Sequence, residues 1–283
     1  MHWIHVPTLP ARAILEPGFV VIGLLFTAAF NVVRRRRFSL AIAGVAVFIA
    51  LLTVGAIYPR SQIFGSVFWR GDNRVPLVAL TFDDGPNPRY TPQILDVLRA
   101  HHAAATFFVV GKNVERYPEV VLRAAKEGHV IGNHSYSHTA LTFRRAESVG
   151  EEIGQTEALV IAATGRPPTL FRPPYGFRNP MVLRTAHGLG YRVVTWSVTA
   201  SDWKSIGAAA IARQVLDNLR PGSIVLFHDG DGDRSQTVAS LPIILEELER
   251  RGFQTATVPE LLAAHVNGAR HLSSLAATPA LAP

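Results

Sequence analysis

PLVALTFDDGP, residues 76–86, sets an apolar, strand-like run directly against two acidic residues and then Gly85-Pro86. Pro76–Phe82 predicts a buried strand, and Asp, Gly and Pro suit the turn that follows it. A turn accounts for Gly85 and Pro86 but does not call for two adjacent carboxylates. Working outward, comparable runs recur at Thr106–Val110, Val130–Gly132, Thr169–Phe171, Arg192–Ser197, Ser223–Phe227 and Gln254–Thr257. Helical periods fill the gaps at Thr91–His102, Glu115–Glu127, Ala146–Ala163, Pro180–Leu189, Ile206–Leu219 and Thr237–Arg251. Thr91-Pro92 reads as an N-cap followed by proline at the first helical position. Gly128, Gly190 and Gly252 each stand where a glycine ends a helix. Strand then helix, repeated about seven times, predicts an α/β fold of parallel strands covered by helices. A closed or nearly closed barrel is the simplest arrangement, and a flat doubly wound sheet is the alternative.

Ahead of this region the pattern is that of a membrane device. Phe38–Tyr58, FSLAIAGVAVFIALLTVGAIY, carries no charge, and ~20 apolar residues suffice to cross a hydrocarbon core. Ala13–Val33 is also apolar, with Glu16, Pro17 and Gly18 near its start, and reads as a second span or an interfacial piece. The reading is an anchor over residues 1–60, with transmembrane helices at 14–33 and 38–58. A linker over 61–74, a catalytic domain over 75–265 and a flexible Ala-, Ser- and Pro-rich tail over 266–283 follow. Arg34–Arg37 would stay cytoplasmic, which puts everything after about residue 60 on the outer face whether one or both segments span. A cleaved signal peptide fits poorly, because the apolar core is too long and no A-x-A site follows.

Composition narrows the partners. The 283 residues are 48% hydrophobic and 17% charged, with a formal net charge of +7. The arginines are scattered apart from Arg34–Arg37, and no basic stripe with interleaved aromatics marks a nucleic-acid face. With no cysteine, disulfides and thiolate sites are excluded, so any metal must be held by His, Asp or Glu.

The side chains able to do chemistry fall at predicted strand ends. Asp83 and Asp84 follow the first strand, His134 and His138 the third, Arg172 and Tyr175 the fourth. Asp202 and Trp203 lie just beyond the fifth, and His228 and Asp229 end the sixth. In a parallel β/α barrel these ends share the face on which active sites form. Histidines at i and i+4 share one helix face, so both imidazoles of HSYSH can reach one cation, with a carboxylate from another strand completing the set. Zn²⁺ suits such a set. Of two adjacent carboxylates, one can bind metal while the other takes a proton from the attacking water. His228 suits a general acid oriented by Asp202, and Arg172 suits a partner for Asp83. A backbone N–H near Tyr175 suits an oxyanion, and Trp203 a sugar face. Each feature also has a plain reading: capping histidines, turn carboxylates, a core tryptophan.

Taken together, TFDDGP (81–86), HSYSH (134–138), RPPYG (172–176), SDW (201–203) and LFHD (226–229) closely resemble the five motifs, in order, of the polysaccharide deacetylases with a NodB-type homology domain, carbohydrate esterase family 4. The resemblance covers about Val75 to Val258. It implies a distorted (β/α) barrel of about seven parallel strands and hydrolytic removal of acetyl groups from an N-acetylated glycan. It implies Asp83 as base, with Asp84, His134 and His138 as ligands of a divalent metal: Zn²⁺ first, then Co²⁺, Ni²⁺ or Mn²⁺. It further implies Arg172 as positioner of the base, the Tyr175 amide at the oxyanion, and Asp202 tuning the acid His228. Trp203 and Leu226 would line the groove and the methyl pocket. With the anchor, this describes a bacterial inner-membrane hydrolase facing the periplasm, with peptidoglycan as first substrate. A deacylase or deformylase of a lipid-linked sugar and an inactive glycan-binding module are the competing readings.

Overall fold

The computed structural model describes residues 17–266. Residues 14–16 of the first expected span, and the tail beyond 266, lie outside them. Helix α1, Pro17–Ile57, runs unbroken through Arg34–Arg37. The expected pair of helices with the four arginines as their loop is therefore replaced by one continuous helix. The reason is local: arginine is a good helix former, and residues 31–39 contain neither Gly nor Pro. Ser39 Oγ even donates back to Arg35 O at 2.9 Å, a helix-interior bond. The stretch Arg34–Ile57 is long and apolar enough to cross a membrane. The chain divides into two compact units between Leu52 and Thr53, and the second holds the barrel.

Seven parallel strands form one strongly curved sheet: β1 (Leu77–Asp83), β2 (Ala105–Val109), β3 (Val130–Asn133), β4 (Leu170–Phe171), β5 (Arg192–Val193), β6 (Val198–Thr199) and β7 (Ile224–His228), in the order β5-β4-β3-β2-β1-β7-β6. A short β8 (Gln254–Thr255) pairs with Leu77 and Val78, below the point where β2 joins β1 at Leu80. The helices are α2 (Tyr90–Ala100), α3 (Gly111–Arg116), α4 (Pro118–Lys126), α5 (Ala146–Thr164), α6 (Pro180–Gly188), α7 (Ala208–Asn218) and α8 (Ser235–Arg250).

Two sequence expectations are corrected in the strands and helices. The single strand over Arg192–Ser197 splits. Val194 N–H donates to Phe171 O of β4, while Ser197 N–H donates to Ile224 O of β7, so the chain changes neighbour between them. Covalent chain, not strand pairing, joins the two edges, and this distorts the barrel. The helix expected over Glu115–Glu127 breaks at Tyr117 (φ −137°, ψ 53°), because Pro118 disfavours helical geometry in the residue before it. Thr91 is not the cap of α2, which begins one residue earlier. Its hydroxyl accepts from Asn87 N–H and donates to Asp229 Oδ2.

Strand alternation sorts β1 between two cores. Val78, Leu80 and Phe82 join the apolar layer under α2, α7 and α8, with Ile94, Leu98, Ile211 and Leu241. Phe82 stacks between Phe107 and Phe227 at centroid distances of 5.0 and 5.4 Å. Ala79 belongs to a second core with Phe68, Phe108, Leu170 and Ile224, and the same parity carries Thr81 and Asp83. Register places Asp83 beside Phe108 and His228, so the carboxyl ends of β1, β2 and β7 lie level.

Candidate active site

Asp83 closes β1 with its side chain buried. Asp84 then takes a left-handed backbone, φ 75°, a conformation that Asp tolerates better than most residues. Gly85 is required next, since a Cβ there would collide with the Asp229 carboxylate. Asn113 Nδ2 donates to Asp84 O at 2.8 Å and steadies the turn. Asp84 Oδ1 lies 3.4 Å from His134 Nε2 and 3.1 Å from His138 Nε2. Although buried, it accepts no hydrogen bond from the described residues. Burial pushes this carboxyl's pKa up, but the two imidazoles outweigh burial and hold it below the usual carboxylate range.

His134 and His138 reach this point without a helix. Ser135 and His138 are both left-handed, φ 66° and 55°, so the shared helix face expected from their spacing is not how they converge. A tight loop does it instead. Ser135 N–H donates to Asn133 Oδ1, His138 N–H donates to Ser135 Oγ, and Glu152 accepts from Ser137 N–H and Oγ–H. His134 Nδ1 lies 2.6 Å from Arg172 O. A carbonyl can only accept, so Nδ1 carries a proton, and in the neutral ring Nε2 keeps the lone pair that a metal ligand needs. One ligand atom from each of Asp84, His134 and His138 lies within 4.8 Å of the others. An N,N,O donor set around an orphaned buried oxygen fits a divalent transition metal.

Arg172, fully buried, donates from Nη1 to Asp83 Oδ1 at 2.6 Å and to Thr81 Oγ1 at 2.9 Å, and from Nη2 to Thr195 O at 3.1 Å. Its guanidinium lies 4.0 Å from the Phe108 ring centroid, a cation–π contact. The expected Arg172–Asp83 pair is present. Pro173 and Pro174 lead into Tyr175, whose φ of 59° is again left-handed. The next two N–H groups donate to Pro173 O and Pro174 O, while the Tyr175 N–H has no acceptor among the described residues. The Tyr175 ring sits 4.7 Å from His138.

On the opposite wall, His228 Nδ1 lies 2.8 Å from Asp202 Oδ1, while Asp202 Oδ2 accepts from His228 N–H and Thr237 Oγ1. Burial pushes the His228 pKa down, but the Asp202 hydrogen bond and the charges of Asp202, Asp83 and Asp84 outweigh it, and the net shift is upward. Trp203 meets the His228 ring edge-on at 5.4 Å and is half-exposed.

One cleft of 390 Å³ is lined by Asp83, Asp84, His134, His138, Tyr175, Trp203, Leu226 and His228. Arg172 and Asp202 lie behind this lining, one step from the opening. Sequence reasoning missed Gly176, Trp196, Asp231 and Arg234, which also line it. Gly176 and Trp196 interlock, since a Cβ on Gly176 would approach Trp196 to 2.6 Å. The glycine in RPPYG is the signal that pointed there. The sequence marks Asp229 only as part of a strand end. It is buried against Gly85 and Thr91, and burial above all, with the charges of Asp84 and Asp83, pushes its pKa up to about 7.

Residues 70–194 match the family described as polysaccharide deacetylase. The chain is 44% identical over 200 residues to a peptidoglycan-N-acetylglucosamine deacetylase of Bacillus cereus, covering 70% of this chain and 93% of that relative. It belongs to the polysaccharide deacetylase family. Among solved structures, this deacetylase superposes on the Bc1960 peptidoglycan N-acetylglucosamine deacetylase with a TM-score of 0.68 at 38% identity, over 70% of this chain and 92% of that one. It superposes on a family 4 acetyl xylan esterase of Clostridium thermocellum, in complex with a cobalt ion, with a TM-score of 0.62 at 35% identity over 65% and 89%. The deacetylase is a hydrolase acting on carbon–nitrogen bonds other than peptide bonds. The family match ends at residue 194, short of Asp202 and His228, which are brought to the cleft by geometry.

Proposed function

We propose that this chain is a membrane-anchored, metal-dependent deacetylase that removes N-acetyl groups from a glycan on the outer face of the membrane, peptidoglycan first. The observation that carries the reading is the meeting, in one cleft, of an orphaned Asp84 oxygen between two imidazoles, an Arg172-paired Asp83 beside it, and His228 opposite. Asp84, His134 and His138 would hold the ion, with Zn²⁺ the first candidate and Co²⁺, Ni²⁺ or Mn²⁺ as alternatives. When bound, the ion supplies Lewis-acid polarisation of the acetamide carbonyl and a more acidic water.

The chain's own groups do the rest. Arg172 aims the Asp83 carboxylate, which takes the proton of the attacking water. The unengaged Tyr175 N–H points to a donor for the tetrahedral oxyanion. Asp202 takes the Nδ1–H of His228, leaving Nε2 to deliver a proton to the sugar nitrogen as acetate departs. Leu226 and Trp203 line the cleft where the methyl group and sugar face would lie.

Four observations support the anchor and the substrate. Arg34–Ile57 spans 24 residues, about 36 Å of helix against about 30 Å of hydrocarbon. From Phe38 to Val54 its large apolar side chains, Phe38, Ile42, Phe48 and Leu51 among them, are exposed. An apolar surface on all sides belongs in lipid. Arginines at its first turn favour a cytoplasmic start and an outer-face barrel. The Bacillus cereus relative is a peptidoglycan-N-acetylglucosamine deacetylase.

The test is acetate release by the full chain from peptidoglycan, chitooligosaccharide, acetylated xylan and an N-acylated lipid-linked sugar, with chelation and metal add-back. Release from the N-acetyl polymers, lost on chelation and restored by a divalent metal, is expected. Release confined to the lipid-linked sugar would move the substrate to that class. Glycan binding with no release under any metal would overturn the enzymatic reading.

A further inference from the structure

Arg178 stands outside every motif, yet its side chain is almost completely buried. No carboxylate among the described residues pairs with it. Its Nη1 donates to Gly176 O at 2.9 Å, and its Nη2 donates to Tyr58 O and, at 3.2 Å, to Ser61 O. Its own N–H donates to Ala56 O at 3.1 Å. A buried guanidinium satisfied only by carbonyls depends on all of them being in place, because an unpaired buried charge is costly. Two of the three side-chain acceptors come from the segment that leaves α1, more than a hundred residues away in sequence.

The same segment reaches the second wall of the cleft. Thr195 Oγ1 donates to Pro59 O at 2.7 Å, and Arg60 Nη2 donates to Ser197 O at 2.8 Å. Thr195 O is also the acceptor for Arg172 Nη2, so the arm that aims Asp83 leans on a residue fastened to Pro59. Between Thr195 and Ser197 sits Trp196, interlocked with Gly176. Residues 56–61 therefore make five hydrogen bonds to the two stretches, 176–178 and 195–197, that carry one side of the cleft.

We infer that Arg178 is a positioning residue, which holds the left-handed Tyr175 turn at the cleft by clamping it to the 56–61 segment leaving α1. The anchor's exit is then a structural part of the active-site wall rather than a passive linker. The consequence for catalysis rests on the reading of Tyr175 N–H as an oxyanion donor, whereas the clamp itself does not.

The experiment uses the full chain in detergent, as wild type, Arg178→Gln, Arg178→Lys and Thr195→Val. Amide hydrogen exchange reads the clamp directly. In Arg178→Gln, exchange is expected to rise about tenfold or more, the scale of losing hydrogen bonds to a charged group, in both 56–61 and 173–178. Exchange in 134–138 and affinity for Zn²⁺ should stay within about twofold. Acetate release should lose about tenfold in kcat with KM little changed, the pattern of an interaction made in the transition state. Arg178→Lys, which keeps charge and donors, should recover part of both. If Arg178→Gln does not fold, Thr195→Val should raise exchange in 58–60 and 195–197 together. Unchanged exchange in 173–178 (for Thr195→Val, in 58–60), or a kcat loss that tracks lost metal, would overturn the inference. A wild type that releases no acetate but shows the coupled exchange would sink the functional reading and leave the clamp standing.

Discussion

Replacing Asp83 by asparagine is the sharpest probe of the site, because it changes charge and proton affinity while keeping shape. In the native site Asp83 Oδ1 accepts from Arg172 Nη1 at 2.6 Å, and Oδ2 lies 3.7 Å from His134 Nε2. An amide oxygen can still take the Arg172 hydrogen bond, so the ring of contacts survives. The ability to take a proton does not. A positioned general base contributes about 10²–10⁴ in rate, so kcat should fall by that factor, about 2.7–5.4 kcal/mol in barrier. Arg172 meanwhile keeps its charge without a counter-charge. Breaking a buried pair costs ~3–5 kcal/mol. The acceptors retained on Thr81 and Thr195, together with the oxygen of the introduced amide, place this case near the low end, about 3 kcal/mol. For a domain of this size that lowers Tm by roughly 6–12 °C. Losing a negative charge beside the ligands weakens metal binding, so turnover is measured at saturating metal and the metal titrated separately. Two outcomes refute the reasoning. Turnover within a few-fold of wild type would mean that Asp83 is not the base. An unchanged Tm would mean that the Arg172–Asp83 pair carries no charge compensation.

Three further expectations follow from the charges around the cleft. Burial lowers the His134 pKa, but Asp83 and Asp84 raise it further, so protons compete with metal from above the ordinary histidine value of ~6.5. Metal affinity measured from about pH 8.5 to 5.5, a window that brackets that value, should decline steadily, and a flat profile would contradict ligation by His134. Asp202 raises the His228 pKa after burial has lowered it, so Asp202→Asn should move the alkaline limb of the kcat profile to lower pH, and an unmoved limb would remove Asp202 from that role. Asp229, pushed up by burial to about 7 from 3.8, favours the fold as a neutral acid. That contribution is complete below pH 3.8 and is lost as pH rises through about 7. In metal-free protein, Asp229→Asn should therefore raise Tm at about pH 8 and leave it nearly unchanged at about pH 4; the reverse order would contradict the burial argument.

The candidate site was legible in the sequence because its titratable side chains are concentrated at strand ends, and strand ends are marked by the change from apolar runs to polar and turn residues. Asp83, Asp84, Arg172, Asp202 and His228 all fall where that rule puts them. Pro118 in the predicted Glu115–Glu127 helix was an available break signal that a helical period alone overrode. The left-handed turns at Ser135 and His138 had no such signal, since i and i+4 spacing is shared by a helix and by this loop. Gly176 announced itself as a glycine, but its partner Trp196 lay in what read as an ordinary strand.

Residue types and their spacing along the chain were enough for the alternation of strands and helices, for the candidate reactive side chains and for the long apolar segment, because each of these is a local property of the chain. Three facts needed the folded chain: among the described residues Asp84 Oδ1 has no hydrogen-bond donor though it lies between two imidazoles, Val194–Ser197 changes neighbour and distorts the barrel, and Arg178 is satisfied by carbonyls that include those of Tyr58 and Ser61. Those facts rest on distances between groups far apart in the chain. Periodicity carries no record of them, since any residue able to donate or accept can be brought to such a position by the fold.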